Sequence, residues 1–144
     1  MFNSSKPIVV EQLFDNSIQE VWNAISNLSL MKLWFFEQIE DFKPEVGFKT
    51  SFVVKVEDRT YTHLWELTEI ILQKNITYDW KYAEYDGEGK VIFELFDLGD
   101  KTKLVLTNFG IESFPSTIPE FSRESCNNGW NYFIKERLYN FLNK

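Results

Sequence analysis

The chain has 144 residues and 17.2 kDa; 44% of the residues are hydrophobic and 26% charged, the balance of a globular domain rather than a disordered, collagen-like or coiled-coil chain. Fifteen Lys and Arg stand against 22 Asp and Glu, a net charge of −7 with the wrong sign for gripping phosphate backbones, so no nucleic-acid partner is expected. The longest unbroken apolar run, Leu33 to Phe36, is far too short to span a membrane.

The start, Met1 to Pro7, lacks the apolar core of a signal peptide, and Cys126 is a lone cysteine. A cytoplasmic monomer or small homo-oligomer, a single domain over 1–144 with its core at about 8–142, is therefore expected. One His, one Cys and scattered acids give no metal-ligand spacing, and no cofactor motif is present: Gly87-Glu88-Gly89 does not precede a helix. Aromatic content is high at 17%, with 14 Phe, 6 Tyr and 5 Trp. Such rings each bury about 150–250 Å². They either fill a core or line a cavity.

In chain order, Ile8 to Phe14 reads as a strand. Ser17-Ile18-Gln19-Glu20 has capping-box spacing, and Ile18, Val21, Trp22, Ile25 and Leu28 follow at helical period. Ser29 is placed to cap a second short helix carrying Leu30, Leu33 and Trp34. The period then becomes two. Phe48, Thr50, Phe52, Val54 and Val56 share a strand face, with a turn predicted at Asp58-Arg59. Tyr61, His63, Trp65 and Leu67 alternate along the next strand, and Ile76, Tyr78, Trp80 and Tyr82 along a third. Asp86-Gly87 and Gly99-Asp100 are hairpin signals, returning into Val91–Leu98 and Thr102–Phe109. After an irregular Gly110–Ser122 stretch, a long helix runs from about Arg123 to Leu142, with Gly129 read as a close-packing position.

The predicted class is α+β: a curved six-stranded antiparallel sheet wrapping a long C-terminal helix, with two short helices after the first strand. A sheet of that width exceeds one helix of about 10 Å diameter, which leaves room for an apolar pocket. Its candidate lining is Trp34, Phe52, Val54, His63, Trp65, Trp80, Phe93, Phe114, Trp130, Phe133 and Arg137. His63 and Glu69 are the weak catalytic candidates. Glu69 and Glu94 face either the helix, with Arg137 as partner, or the wet outer side. Glu112 and Arg123 read as solvated, and Cys126 as a small buried hydrophobe.

Several landmarks match a known family in order. They are Val21-Trp22, Trp34, Val46-Gly47-Phe48, Leu67-Thr68-Glu69-Ile70, Trp80, the run Gly99 to Gly110 with Thr102, Leu104 and Leu106-Thr107-Asn108-Phe109, and Gly129-Trp130. On these the chain resembles the heat shock protein 90 ATPase activator-like branch of the START-like, or helix-grip, superfamily (SRPBCC). The resemblance implies the helix-grip fold. It departs at Trp65, where a Gly is usual, and in lacking the Pro that follows the Val-x-Glu-Ile strand. Three functions follow as expectations. The first is noncatalytic binding of a small hydrophobic or amphipathic molecule between sheet and helix. The second is a chaperone cofactor of the ATPase-activator type, although such activators carry a further N-terminal domain. The third is a cyclase- or dehydratase-like enzyme acting on an apolar substrate.

Overall fold

A computed structural model describes residues 6–143; residues 1–5, most of the predicted leader-free start, and residue 144 lie outside that range. Strand β1 (Ile8–Phe14) leads into α1 (Ile18–Ser26) and α2 (Leu28–Trp34). The sheet continues with β2 (Lys49–Val56), β3 (Arg59–Ile71), β4 (Asn75–Tyr82), β5 (Tyr85–Asp97) and β6 (Thr102–Phe109). All neighbours are antiparallel, in the order β1-β6-β5-β4-β3-β2. Two 3-10 turns, Ile111–Ser113 and Pro119–Phe121, punctuate the connection to the C-terminal helix. That helix begins as α3 (Arg123–Asn131), widens into a π-helical stretch (Tyr132–Leu138) and closes as α4 (Tyr139–Leu142). The α+β helix-grip architecture is the one the sequence predicts.

Local chemistry explains most boundaries. Ser17 caps α1, its hydroxyl accepting from the Glu20 amide while the Glu20 carboxylate accepts from the Ser17 amide. The cap of α2 is Asn27 rather than Ser29. Asn27 Oδ1 accepts from the Leu30 amide, and the Ser29 hydroxyl donates to the same oxygen.

Two turns also differ from expectation. The β2–β3 turn is Glu57-Asp58, with Glu57 at φ 57°. The β4–β5 turn is Ala83-Glu84, where the Glu84 carboxylate accepts from the amide and hydroxyl of Thr62 at 2.7 and 2.5 Å. Asp86-Gly87 sits instead inside β5, on a bulge between the pairs Tyr82–Tyr85 and Trp80–Gly89. Gly87 is at φ 126°, and a Cβ there would lie 2.6 Å from Phe114 Cδ1. Its lack of a side chain admits the first 3-10 turn, which Ser113 fastens by hydrogen bonds to both the amide and the carbonyl of Glu88. Arg123, expected to be solvated, donates to the carbonyls of Lys6 and Pro7.

The concave face follows strand parity. Tyr61, His63, Trp65 and Leu67 of β3 are buried, as are Ile76, Tyr78 and Trp80 of β4 and Val91, Phe93 and Leu95 of β5. Ile134 and Leu138 of the π stretch are completely covered. Phe35, just after α2, is the hub of the aromatic core. Its ring centroid lies 4.7 Å from Trp34, 4.9 Å from Phe133, 5.7 Å from Trp65 and 5.8 Å from Trp130. Rings thus fill the trough at the α2 end.

Candidate functional site

At the other end the trough is not filled. A cavity of about 190 Å³ lies between sheet, C-terminal helix and the 110–122 connection. The sheet supplies His63, Trp80, Tyr82, Gly89 and Asn108. The connection supplies Ile111, Phe114, Glu120 and Phe121, and the helix Ser125, Cys126, Gly129, Trp130 and Phe133; Phe36 completes the wall.

Gly129 was read as a close-packing position, but a Cβ there would meet nothing within 4 Å. Gly129 leaves space in the cavity rather than bringing backbones together.

Of the residues proposed from sequence as lining, His63, Trp80, Phe114, Trp130 and Phe133 are brought together here. Trp34, Phe52, Trp65 and Phe93 belong to the packed core, and Val54 is half-buried against it. Trp34 donates its indole N–H to the Ala24 carbonyl at 2.7 Å. Arg137 lies elsewhere, donating to the Leu33 carbonyl at 2.8 Å with its guanidinium beside the Tyr132 ring. It meets neither Glu69 nor Glu94. Both carboxylates sit on the outer side. Glu94 alternates with buried Phe93 and Leu95. Glu69 shares the parity of buried Leu67, but a bulge at Thr68 shifts the register and turns Glu69 outward.

The polar groups at the cavity are few: those of Asn108, Glu120 and Trp130 are engaged, while His63 Nδ1 and Trp80 Nε1 are buried without a partner. The Trp130 indole donates to Asn108 Oδ1 at 3.0 Å, while Asn108 Nδ2 donates to the carbonyls of Lys90 and Phe109. Glu120 receives a bidentate pair from Arg59, both bonds 2.8 Å, and a further bond from the Tyr61 hydroxyl. The bonds from Arg59 and then Tyr61 hold its carboxyl down at about 2. Burial, then the Glu120 contact, pushes the Tyr61 phenol up to about 12. The Cys126 thiol faces the Glu120 carbonyl at 3.7 Å, and burial raises its pKa to about 11. His63 is enclosed by aromatic rings, stacked on Phe52 at 4.6 Å and 6°. Burial lowers its pKa to about 3, only weakly opposed by the Glu84 carboxylate.

No site of three or more His, Cys, Asp or Glu able to hold a metal occurs among the described residues, and none of their helices is long and apolar enough to cross a membrane. Asn108, Glu120, Ser125, Cys126 and Gly129 were not anticipated as lining. They come from a strand end, a Pro-bearing loop and a weakly apolar helix turn, where no periodic signal marks a face.

A curved antiparallel sheet closing over one terminal helix, with a residual cavity under the connecting loops, defines a helix-grip protein of the START-like class. The chain belongs to the family of activator of Hsp90 ATPase homolog 1-like proteins, whose model matches residues 15–143. Among solved structures it is similar to a Chromobacterium violaceum protein, at 18% identity and TM-score 0.77, covering 96% of this chain and 98% of that one. A Mesorhizobium loti protein has 23% identity and TM-score 0.76, covering 96% and 97%. An HSP90 activator from Plasmodium falciparum has 20% identity and TM-score 0.67, covering 91% and 92%. At these identities the likeness is one of fold. No protein with a curated description matches the chain.

Proposed function

We propose that this protein is a noncatalytic binder that shelters a small apolar molecule in the cavity between sheet and C-terminal helix. The observation that carries the reading is an aromatic-walled space of about 190 Å³ in which the one carboxylate, Glu120, is already neutralised by Arg59. Ligand sites are typically concave and apolar with a few placed polar groups. A space on the order of 150 Å³ lined by apolar side chains accepts benzene, which sets the scale at one or two rings.

The absence of catalysis is supported by the state of the two candidates. His63 is too weak a base at neutral pH, and Glu69 is on the outer side of the sheet. Naphthalene titrated into isotope-labelled protein tests the reading. It should shift the indole signals of Trp80 and Trp130 and the amides of Cys126 and Gly129, and Gly129→Phe should abolish those shifts. Unmoved signals in the unaltered protein would remove the basis for a ligand binder.

A chaperone-docking role is a second reading, favoured by the family's description and by the Plasmodium falciparum relative being titled an HSP90 activator. Stimulation of an Hsp90 ATPase by the purified chain, dependent on concentration, is the result that reading requires.

A further inference from the structure

We propose that the free edge of β2 is a docking surface for a second copy of this chain, the two β2 strands pairing antiparallel about Val53. β2 contributes nothing to the cavity wall, so this surface stands apart from it. β1 and β2 are the two ends of the sheet. An open edge presents unpaired N–H and C=O groups, and folded proteins usually blunt it. At β1 the C-terminal helix does so. Lys135 Nζ donates to the Glu11 carbonyl at 2.7 Å, and Arg123 donates to the carbonyls of Lys6 and Pro7. β2 has no such cover. Among the described residues no side chain bonds to its backbone, and it contains neither a proline nor a bulge, pairing with β3 without a break from Lys49–Glu66 to Val56–Arg59.

The ladder tells which groups are free. The Leu67 amide donates to the Phe48 carbonyl at 2.9 Å. By the alternation of an antiparallel pair, the even-numbered residues of β2 therefore bond to β3, while Lys49, Ser51, Val53 and Lys55 turn their backbone groups outward. Charge then selects among the registers that set these residues against a second copy. Setting Lys49 against the partner's Lys55, or Lys55 against the partner's Lys55, opposes like charges. Setting Val53 against the partner's Val53 pairs Ser51 with the partner's Lys55 and brings Lys49 to the partner's Glu57, at both ends by the twofold symmetry. The Glu57 side chain is 77% exposed and held only by a 3.8 Å contact with Arg59, whose closer bond goes to Glu120. Glu40 and Asp41 share a surface groove with Lys49 and Ser51, where the partner's Lys55 arrives, and add further opposite charge. Two eight-residue strands bury less than the roughly 1,200 Å² of a standard stable interface, so the dimer is a reversible one that fills at high micromolar concentration.

Sedimentation equilibrium on the full chain should show a monomer passing to a dimer as concentration rises from low micromolar to millimolar. Over the same range amide exchange at Ser51, Val53 and Lys55 should slow severalfold, while the Val54 amide, already bonded to β3, stays as it was. Val53→Pro should weaken association about tenfold or more with the monomer fold kept, since an edge strand tolerates proline where the N–H points away from its neighbour. Lys49→Glu and Glu57→Lys should each weaken it about threefold, and the double variant should return it to within about twofold of the unaltered protein. A chain that stays monomeric up to millimolar concentration overturns the proposal. So does a dimer whose Ser51, Val53 and Lys55 amides still exchange freely, because the contact then lies on another surface. Exchange is read on the unaltered protein and gives its answer even if Val53→Pro fails to fold. A double variant no better than either single one would overturn the register.

Discussion

His63 folds as a neutral ring and stays neutral far into acid, because its enclosure by Phe52, Phe36, Trp80 and Tyr82 leaves no water to solvate a charge. The unfolded chain takes up a proton on this residue near 6.5, the folded chain only near 3. Between those values unfolding binds a proton, so acid favours unfolding. Stability is therefore complete above about pH 6.5 and falls as the pH drops toward 3. Glu120 adds a second loss that begins lower, from its ordinary 4.5 down to about 2, as protonation breaks the pair with Arg59. Urea unfolding across pH 7 to 5 isolates the histidine, and His63→Phe should flatten that part of the curve. The alternation of β3 put His63 on one face with Tyr61, Trp65 and Leu67, but that this face is the concave one was not legible. Nor was the outward place of Glu69, since a bulge at Thr68 changes parity without any glycine or proline to mark it.

The connection between β6 and the C-terminal helix roofs the cavity, and two fastenings hold it. Ser113 ties its first turn to Glu88, and Glu120 ties its second to Arg59 and Tyr61. Phe114 and Phe121 pack below with Tyr61, Tyr82 and Tyr85. The thiol of Cys126 touches the Glu120 carbonyl, so its reactivity reports whether the second fastening is closed. Methyl methanethiosulfonate, which converts the thiol to a mixed disulfide and releases methanesulfinate, should react with Cys126 several-fold faster in Arg59→Gln and Glu120→Gln than in the unaltered protein. Asp15→Asn, which breaks a surface pair with Lys101, should leave the rate unchanged. Equal rates throughout would mean that the ion pair does not hold the roof. Of this element the sequence announced an irregular stretch and nothing more. Asp86-Gly87 was misread for a related reason. Its glycine answers to Phe114, a tertiary contact, whereas the turn itself is made by Ala83-Glu84 with Thr62.

The whole molecule balances rings against space. Trp65, 1% exposed, meets Phe52 at 4.9 Å, Tyr78 at 4.7 Å and Trp80 at 5.0 Å, and with Phe35 it closes the trough at the α2 end. Trp65→Ala should cost about 3–5 kcal/mol, a large share of the roughly 5–15 kcal/mol that holds a domain together. It should also let the cavity take a three-ring guest such as anthracene, which the unaltered protein should exclude. Calorimetry and titration of the same variant check both halves of the statement. Alternation alone does not tell which face is concave, but the antiparallel meander and the gripping helix were legible because alternation and helical period are local signals. Phe35 and Phe36 were not, because they follow α2 in a segment with no period of its own, and their role appears only when four elements converge on them.

Trp80 and Trp130 are walls of the cavity, while Trp22, Trp34 and Trp65 are buried in the core and do not line it. The chain thus carries an optical gauge built into its own sequence. A guest absorbing in the near ultraviolet, where indole emits, would drain the excited states of the two wall residues first. The emission that survives would come mainly from Trp22 and Trp34, since Trp65 lies 5.0 Å from Trp80, so colour and lifetime together would register occupancy without any attached dye.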